Sequence, residues 1–190
     1  MQFNAFVLGF VLLFSNLSFA QTCEDFSNAF IKQATSATVS SQYRAYLAQS
    51  LDLQNATKFV LGSNWRTLTP DQRKKFHDIY SQYVVYKYAS QMEKYKIMEY
   101  KIISTKNDSK RPNICNSEIL IKTTIQNKVA QVTLKSVIST KNENSPLFQD
   151  LILENISVLQ LQRDEVESLL KSKGFDGMLK VFEQFVKDNK

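Results

Sequence analysis

The chain has few of the residues that carry most enzyme chemistry. Its 190 residues include one histidine, two cysteines, one tryptophan, three prolines and four glycines. The lone histidine, His77, has no Cys, Glu or second His at ligand spacing, which argues against a zinc or iron site. No G-x-G-x-x-G, P-loop or G-x-S-x-G elbow occurs, so the nucleotide-binding and serine-hydrolase signatures are excluded. Scarce glycine and proline rule out a collagen-like repeat, and two cysteines rule out a disulfide-dense small scaffold. At 43% apolar residues the chain is not disordered, and it is not a multi-span membrane protein.

Charge is missing from one region. Met1–Ala20 contain no charged side chain, although the whole chain carries 24 Lys+Arg against 18 Asp+Glu, a net charge of +6. The apolar run Ala5–Phe14 is too short to cross a hydrocarbon core of ~30 Å as a helix. It has the length of a signal-peptide h-region, and Ser18-Phe19-Ala20 offers a small-x-small cleavage pattern. Residues 1–20 therefore read as a signal peptide and 21–190 as a single domain. Met1-Gln2-Phe3-Asn4 holds no Lys or Arg, so only the amino terminus is positive there. The competing reading, a buried N-terminal helix, finds no polar alternation to make an amphipathic face.

Ala20-Gln21-Thr22 before Cys23 does not make the small-residue site of a bacterial lipoprotein cysteine. Cys23 and Cys115 are then an even pair in an oxidising compartment. A bridge between them closes a loop of about 90 residues, worth ~4–5 kcal/mol in the chain-entropy model. The alternative is two unpaired thiols.

Helical spacing appears over Cys23–Ala34 and Gln42–Leu51, and Asp52 can cap a short helix that Gly62 ends. Thr69-Pro70-Asp71-Gln72 combines a capping Thr, a Pro at the first helical position and a capping-box Gln. It predicts a long helix to about Lys94, with an apolar stripe through Phe76, Ile79, Tyr80, Tyr83, Val84 and Tyr88 and with His77 on the polar side as a solvated side chain. Beyond Lys96 the period falls to two. Met98–Ile102, Glu118–Ile125, Val129–Ile138 and Phe148–Ile156 read as four strands, with Gln126-Asn127-Lys128 as a hairpin connection. Two helices, Leu159–Ser172 and Phe175–Lys187, close the chain around Gly174. The class is α+β: a four-stranded antiparallel twisted sheet with helices over its apolar face.

Residues Lys101–Pro146 hold eight Lys/Arg against three Asp/Glu, so most of the positive excess lies in the sheet. The charges are scattered, which describes a solvated outer face rather than a nucleic-acid stripe. Attraction to an anionic lipid head group or an acidic partner is the competing reading. A carboxylate pair such as Asp150 with Glu154, spaced i,i+4 on one strand face, could in principle do glycosidase work.

Val60-Leu61-Gly62-Ser63-Asn64-Trp65-Arg66-Thr67-Leu68-Thr69-Pro70-Asp71-Gln72-Arg73 resembles a block of the MlaC (toluene-tolerance) family of periplasmic phospholipid carriers. Phe76, Tyr83-Val84-Val85 and Tyr88-Ala89 continue the likeness. Asp150, Ile156-Ser157-Val158-Leu159, Arg163 and Gly174-Phe175-Asp176-Gly177-Met178-Leu179 form a second block. Gln162 stands where the family often has Tyr, Asn155 where Gly is usual, and the cysteine pair lies outside the resemblance.

The resemblance implies a periplasmic monomer without cofactor or nucleic acid, whose cargo is phospholipid. It would shuttle that cargo between an inner-membrane ABC transporter complex and an outer-membrane lipoprotein complex. Acyl tails need an enclosed apolar cleft, on the order of 1,000 Å³. The expected lining is Trp65, Phe76, Tyr80 and Tyr83 from the helices and Val132, Leu134, Ile152 and Val158 from the sheet region. Arg66 and Arg163 are candidates for the phosphate at the mouth, unless they pair with acids such as Asp71 or Glu165. Two other readings stay open: an enzyme in a cone-shaped cleft with Asp150 as base, and an interaction protein with a solid core.

Overall fold

A computed structural model describes residues 19–125, 128–140 and 146–190. The expected leader as far as Ser18, and Gln126-Asn127 of the expected hairpin connection, lie outside the described residues. The helical half comprises α1 (Phe19–Ser36), α2 (Ser40–Ser50), α3 (Leu53–Leu61), the one-turn α4 (Asn64–Thr67) and α5 (Pro70–Met92). Phe19 and Ala20, read above as the end of the leader, open α1.

Local chemistry accounts for the boundaries. Asp52 caps α3 by accepting from the Asn55 amide, and Gly62 ends it at φ 54°. A Cβ at position 62 would lie 2.8 Å from Arg163 Nη2, so this glycine serves both a left-handed turn and a close approach. At α5 the capping box is complete. The Gln72 amide donates to Thr69 Oγ1 at 3.2 Å, and the Thr69 amide donates to Gln72 Oε1 at 2.9 Å.

The sheet is an antiparallel meander in the order β1 (Lys96–Asn107), β2 (Ile114–Ile125), β3 (Lys128–Ser139), β4 (Leu147–Leu153) and β5 (Ile156–Ser157). Four strands were expected, and among the described residues the sheet has five. Glu154 and Asn155 adopt φ 49° and 66°, so the chain reverses within the stretch that reads as one strand. Residues on both sides of that turn are apolar and β-prone, and an Asn tolerates the left-handed region without glycine's signal. The last helical run, α6 (Val158–Asp188), is interrupted at Gly174 (φ 67°, ψ −178°), which separates the two expected helical segments by a kink.

Two apolar clusters form the interior. One joins α1, α2 and the sheet through Phe30, Ile31, Leu47, Ile119, Ile138 and Phe148. The other joins α3, α5 and α6 through Val60, Phe76, Tyr80, Tyr83, Val166, Met178 and Phe182. Cys23 and Cys115, both fully buried, are disulfide-bonded and tie α1 to β2. The Asp52 amide donates to the Phe148 carbonyl at 2.8 Å, which anchors the α2–α3 corner on β4. Among the described residues no helix is long and apolar enough to cross a membrane.

Candidate functional site: a two-lobed apolar cavity

An apolar cavity of two lobes opens beside these clusters. Its first lobe lies among α2, α3, α5, α6 and β3–β4, walled by Leu47, Leu51, Tyr80, Val84, Tyr88, Phe148, Val158 and Leu159. The second lies under α1 against β1–β4, walled by Ile31, Ala34, Tyr43, Ile97, Ile121 and Val132. Phe30, Met92, Tyr95, Leu134, Leu151 and Leu153 belong to both, so the lobes adjoin. Their volumes are about 210 and 230 Å³. Tyr95 and Leu153, each 45% exposed, mark the rim.

The wall is almost wholly apolar, and two of its polar side chains, Gln162 and Asp150, are hydrogen-bonded within the protein. Gln162 is buried and links two phenols: Tyr80 donates to its Oε1 at 3.5 Å, and its Nε2 donates to the Tyr88 hydroxyl at 2.6 Å. Burial pushes the Tyr80 phenol well up; the Tyr88 and Glu165 side chains add to this. Burial likewise raises Tyr88 to about 12, with the Gln162 hydrogen bond opposing and the Glu165 and Asp150 carboxylates reinforcing. Both phenols are thus protonated at neutral pH, Tyr80 as a donor to Gln162 and Tyr88 as an acceptor from it. Behind them Glu165 accepts from Tyr83 (2.6 Å) and pairs with Lys87 (2.8 Å).

Asp150 lines the first lobe, but its carboxylate caps α6, accepting from the Leu159 amide at 3.0 Å and from Ser157 Oγ at 2.6 Å. Glu154 sits in the β4–β5 turn and accepts from the Thr133 amide. The pair expected on one strand face is therefore separated into a helix cap and a turn lock. Among the described residues no group of three His, Cys, Asp or Glu could hold a metal ion.

The structure sorts the sequence-derived candidates. Tyr80, Val132, Leu134 and Val158 line the cavity. Phe76 and Tyr83 instead pack in the α3/α5/α6 cluster, where Phe76 stacks on Tyr80 and Tyr83 on Phe182. The reason is that α5 lies between two cores, so its broad aromatic stripe is divided between them. Ile152 pairs with Lys135 and Ser157 and lines neither lobe, because its neighbours Leu151 and Leu153 point inward. Trp65 lies outside the cavity, beside Arg73.

Neither Arg66 nor Arg163 lines a lobe. Arg66 is exposed on α4, and Arg163 packs over the Phe59 ring and against Gly62. Glu165, considered above as a partner for Arg163, is taken by Lys87. His77 is half-buried rather than solvated, with Nδ1 3.0 Å from Thr57 Oγ1. The outer sheet face is solvated; there Lys122 lies 3.6 Å from Glu99. Sequence spacing did not single out Phe30, Leu51, Met92, Phe148 or Gln162 for the wall. For Tyr88 a signal existed: with Tyr80 and Val84 it completes an i, i+4, i+8 line.

A meander and a helical layer held apart by an elongated apolar space define an α+β protein built around an internal cleft. The chain belongs to the MlaC protein family, whose pattern matches residues 21–184. Among solved structures it is similar to the phospholipid-binding protein from Ralstonia solanacearum in complex with a phospholipid. The TM-score is 0.65 and the identity 10%, over 89% of this chain and 97% of that one. At this identity the likeness is one of fold. No curated protein matches the sequence.

Proposed function

We propose that the protein is a periplasmic carrier that binds phospholipid by enclosing its acyl chains. The observation that carries this reading is the pair of adjoining, apolar-walled lobes with a rim open to solvent. Two chains of about 16 carbons at ~0.8 kcal/mol per CH₂ cost near 25 kcal/mol to expose to water, so a carrier must enclose them. Membership of the MlaC family supports the reading, as does the shared fold with a protein described in complex with a phospholipid.

In this reading Tyr80, Tyr88, Val132, Leu134 and Val158 contact the tails, and the head group stays at the rim near Tyr95 and Leu153. The buried disulfide suits an oxidising compartment. The protein acts as a monomer without cofactor and shuttles lipid between an inner-membrane ABC transporter complex and an outer-membrane lipoprotein complex. With no nucleotide motif of its own, it releases cargo through a partner's higher affinity. In this reading the protein is a carrier rather than an enzyme, which the use of the Asp150 carboxylate as a helix cap supports.

Solvent extraction of purified protein followed by mass spectrometry tests this. Stoichiometric phospholipid is expected, and delipidated protein is expected to reload from vesicles. Protein that emerges empty and takes up no lipid overturns the proposal.

A further inference from the structure

The segment that carries the clearest sequence motif does not build the cavity. It builds a second, separate pocket of about 240 Å³ between α3, α4 and α5, lined by Gln54, Lys58, Trp65, Arg73, Lys74 and His77. We propose that this pocket is an oxyanion site that takes a phosphate group, independently of any lipid in the cavity.

The lining contains three cationic side chains, a histidine and an amide, and no carboxylate. Two of these groups are held in place. Arg73 Nε donates to the Trp65 carbonyl at 2.9 Å and Nη2 to the Arg66 carbonyl at 3.3 Å, with the guanidinium 5.3 Å from the indole centroid. These two bonds leave three guanidinium N–H groups in a fixed fork, the geometry that suits phosphate. His77 is fixed from behind. Thr57 Oγ1 gives its proton to the Leu53 carbonyl, so it can only accept from His77 Nδ1–H. That assigns the tautomer and leaves Nε2 as the ring's other polar atom, an acceptor when neutral and a donor when the ring is charged. Lys58 and Lys74 are exposed and can close over a bound anion.

Charges of both signs surround the imidazole. Lys58 stands on α3 and Arg66 on α4, while Arg73, Lys74 and Asp78 stand on α5. Asp78 is paired with Lys74 at 2.5 Å and is the one carboxylate among them. A phosphate competes with Asp78 for Lys74 and brings the second negative charge that the cluster lacks.

His77 is the chain's only histidine, so its ring resonances report on this pocket alone. The test is a proton NMR titration of His77 in the full mature chain. Inorganic phosphate, glycerol phosphate, chloride at matched ionic strength, and vesicles of phosphatidylglycerol or phosphatidylcholine are added separately. Saturable shifts of the His77 resonances with phosphate or glycerol phosphate are expected. The apparent affinity should fall at least fivefold in Lys58→Ala/Lys74→Ala, whose exposed side chains leave the fold intact. Shifts with phosphatidylglycerol vesicles and not with soluble phosphate identify a lipid head group as the source and also support the site. Equal shifts with chloride, or no loss in the double variant, overturn it. Lipid retention by extraction, measured in parallel, keeps this result separate from the fate of the carrier proposal.

Discussion

Reduction of the Cys23–Cys115 bridge is the perturbation whose magnitude follows most directly from the structure. The bridge spans a sequence separation of 92. With ΔS of about −2.1 − 1.5R ln n, it removes roughly 15.6 cal/mol/K from the unfolded chain, or about 4.6 kcal/mol at 25 °C. The same side chains remain after reduction, and α1 stays docked through Phe30 and Ile31, so the native packing term changes little. In urea, at about 2 kcal/mol/M, the unfolding midpoint should fall by about 2 M. The assay is circular dichroism of oxidised and reduced protein, with thiol alkylation in denaturant to verify both states. Because α1 roofs the second lobe, uptake of an environment-sensitive apolar dye should be followed at the same time. Reduced protein should bind it with faster exchange. A midpoint change below about 0.5 M at constant slope would refute the entropic reasoning and imply that the unfolded chain keeps the two segments together.

Four further outcomes follow from the site. Leu134→Trp, at the junction of the lobes, should abolish lipid loading at a stability cost of about 1–3 kcal/mol; normal loading with an intact fold would place the tails elsewhere. Tyr88→Phe strips the buried Gln162 amide of its acceptor and should cost about 1–3 kcal/mol in urea unfolding, with lipid still bound. Asp150→Asn weakens the cap of α6 by about 1–2 kcal/mol and should leave extractable lipid unchanged, whereas loss of a hydrolytic turnover would revive the enzymatic reading. Burial raises Tyr46 and Tyr88 to about 12, against an ordinary 10, so their contribution is complete below pH 10. It is lost as the pH rises from 10 through 12, which absorbance of tyrosinate during alkaline unfolding should record; unfolding that begins below pH 9 would count against it.

Legibility varied along the chain for physical reasons. The long helix α5 was readable because a capping box, a first-turn proline and a 3.6-residue period are all local. So were β2 and β3, because the two-residue period of a strand is equally local. The β4–β5 turn was not readable, because Glu154 and Asn155 enter the left-handed region without glycine or proline to announce it. The site was only partly legible. Apolar residues at helical spacing are compatible with a solid core or with a cavity wall, and the difference depends on how far apart two layers sit.

The sequence by itself determined the class of fold, the caps of α3 and α5 and the likeness to the family. Each of these is encoded within about a dozen neighbouring residues. Tertiary structure alone decided that α5 separates two cores, so Tyr80 and Tyr88 face a cavity while Phe76 and Tyr83 are packed away. It also decided that Trp65, Arg73 and His77 converge on a basic pocket outside that cavity. Both outcomes depend on distances between elements remote in sequence, which no local pattern specifies.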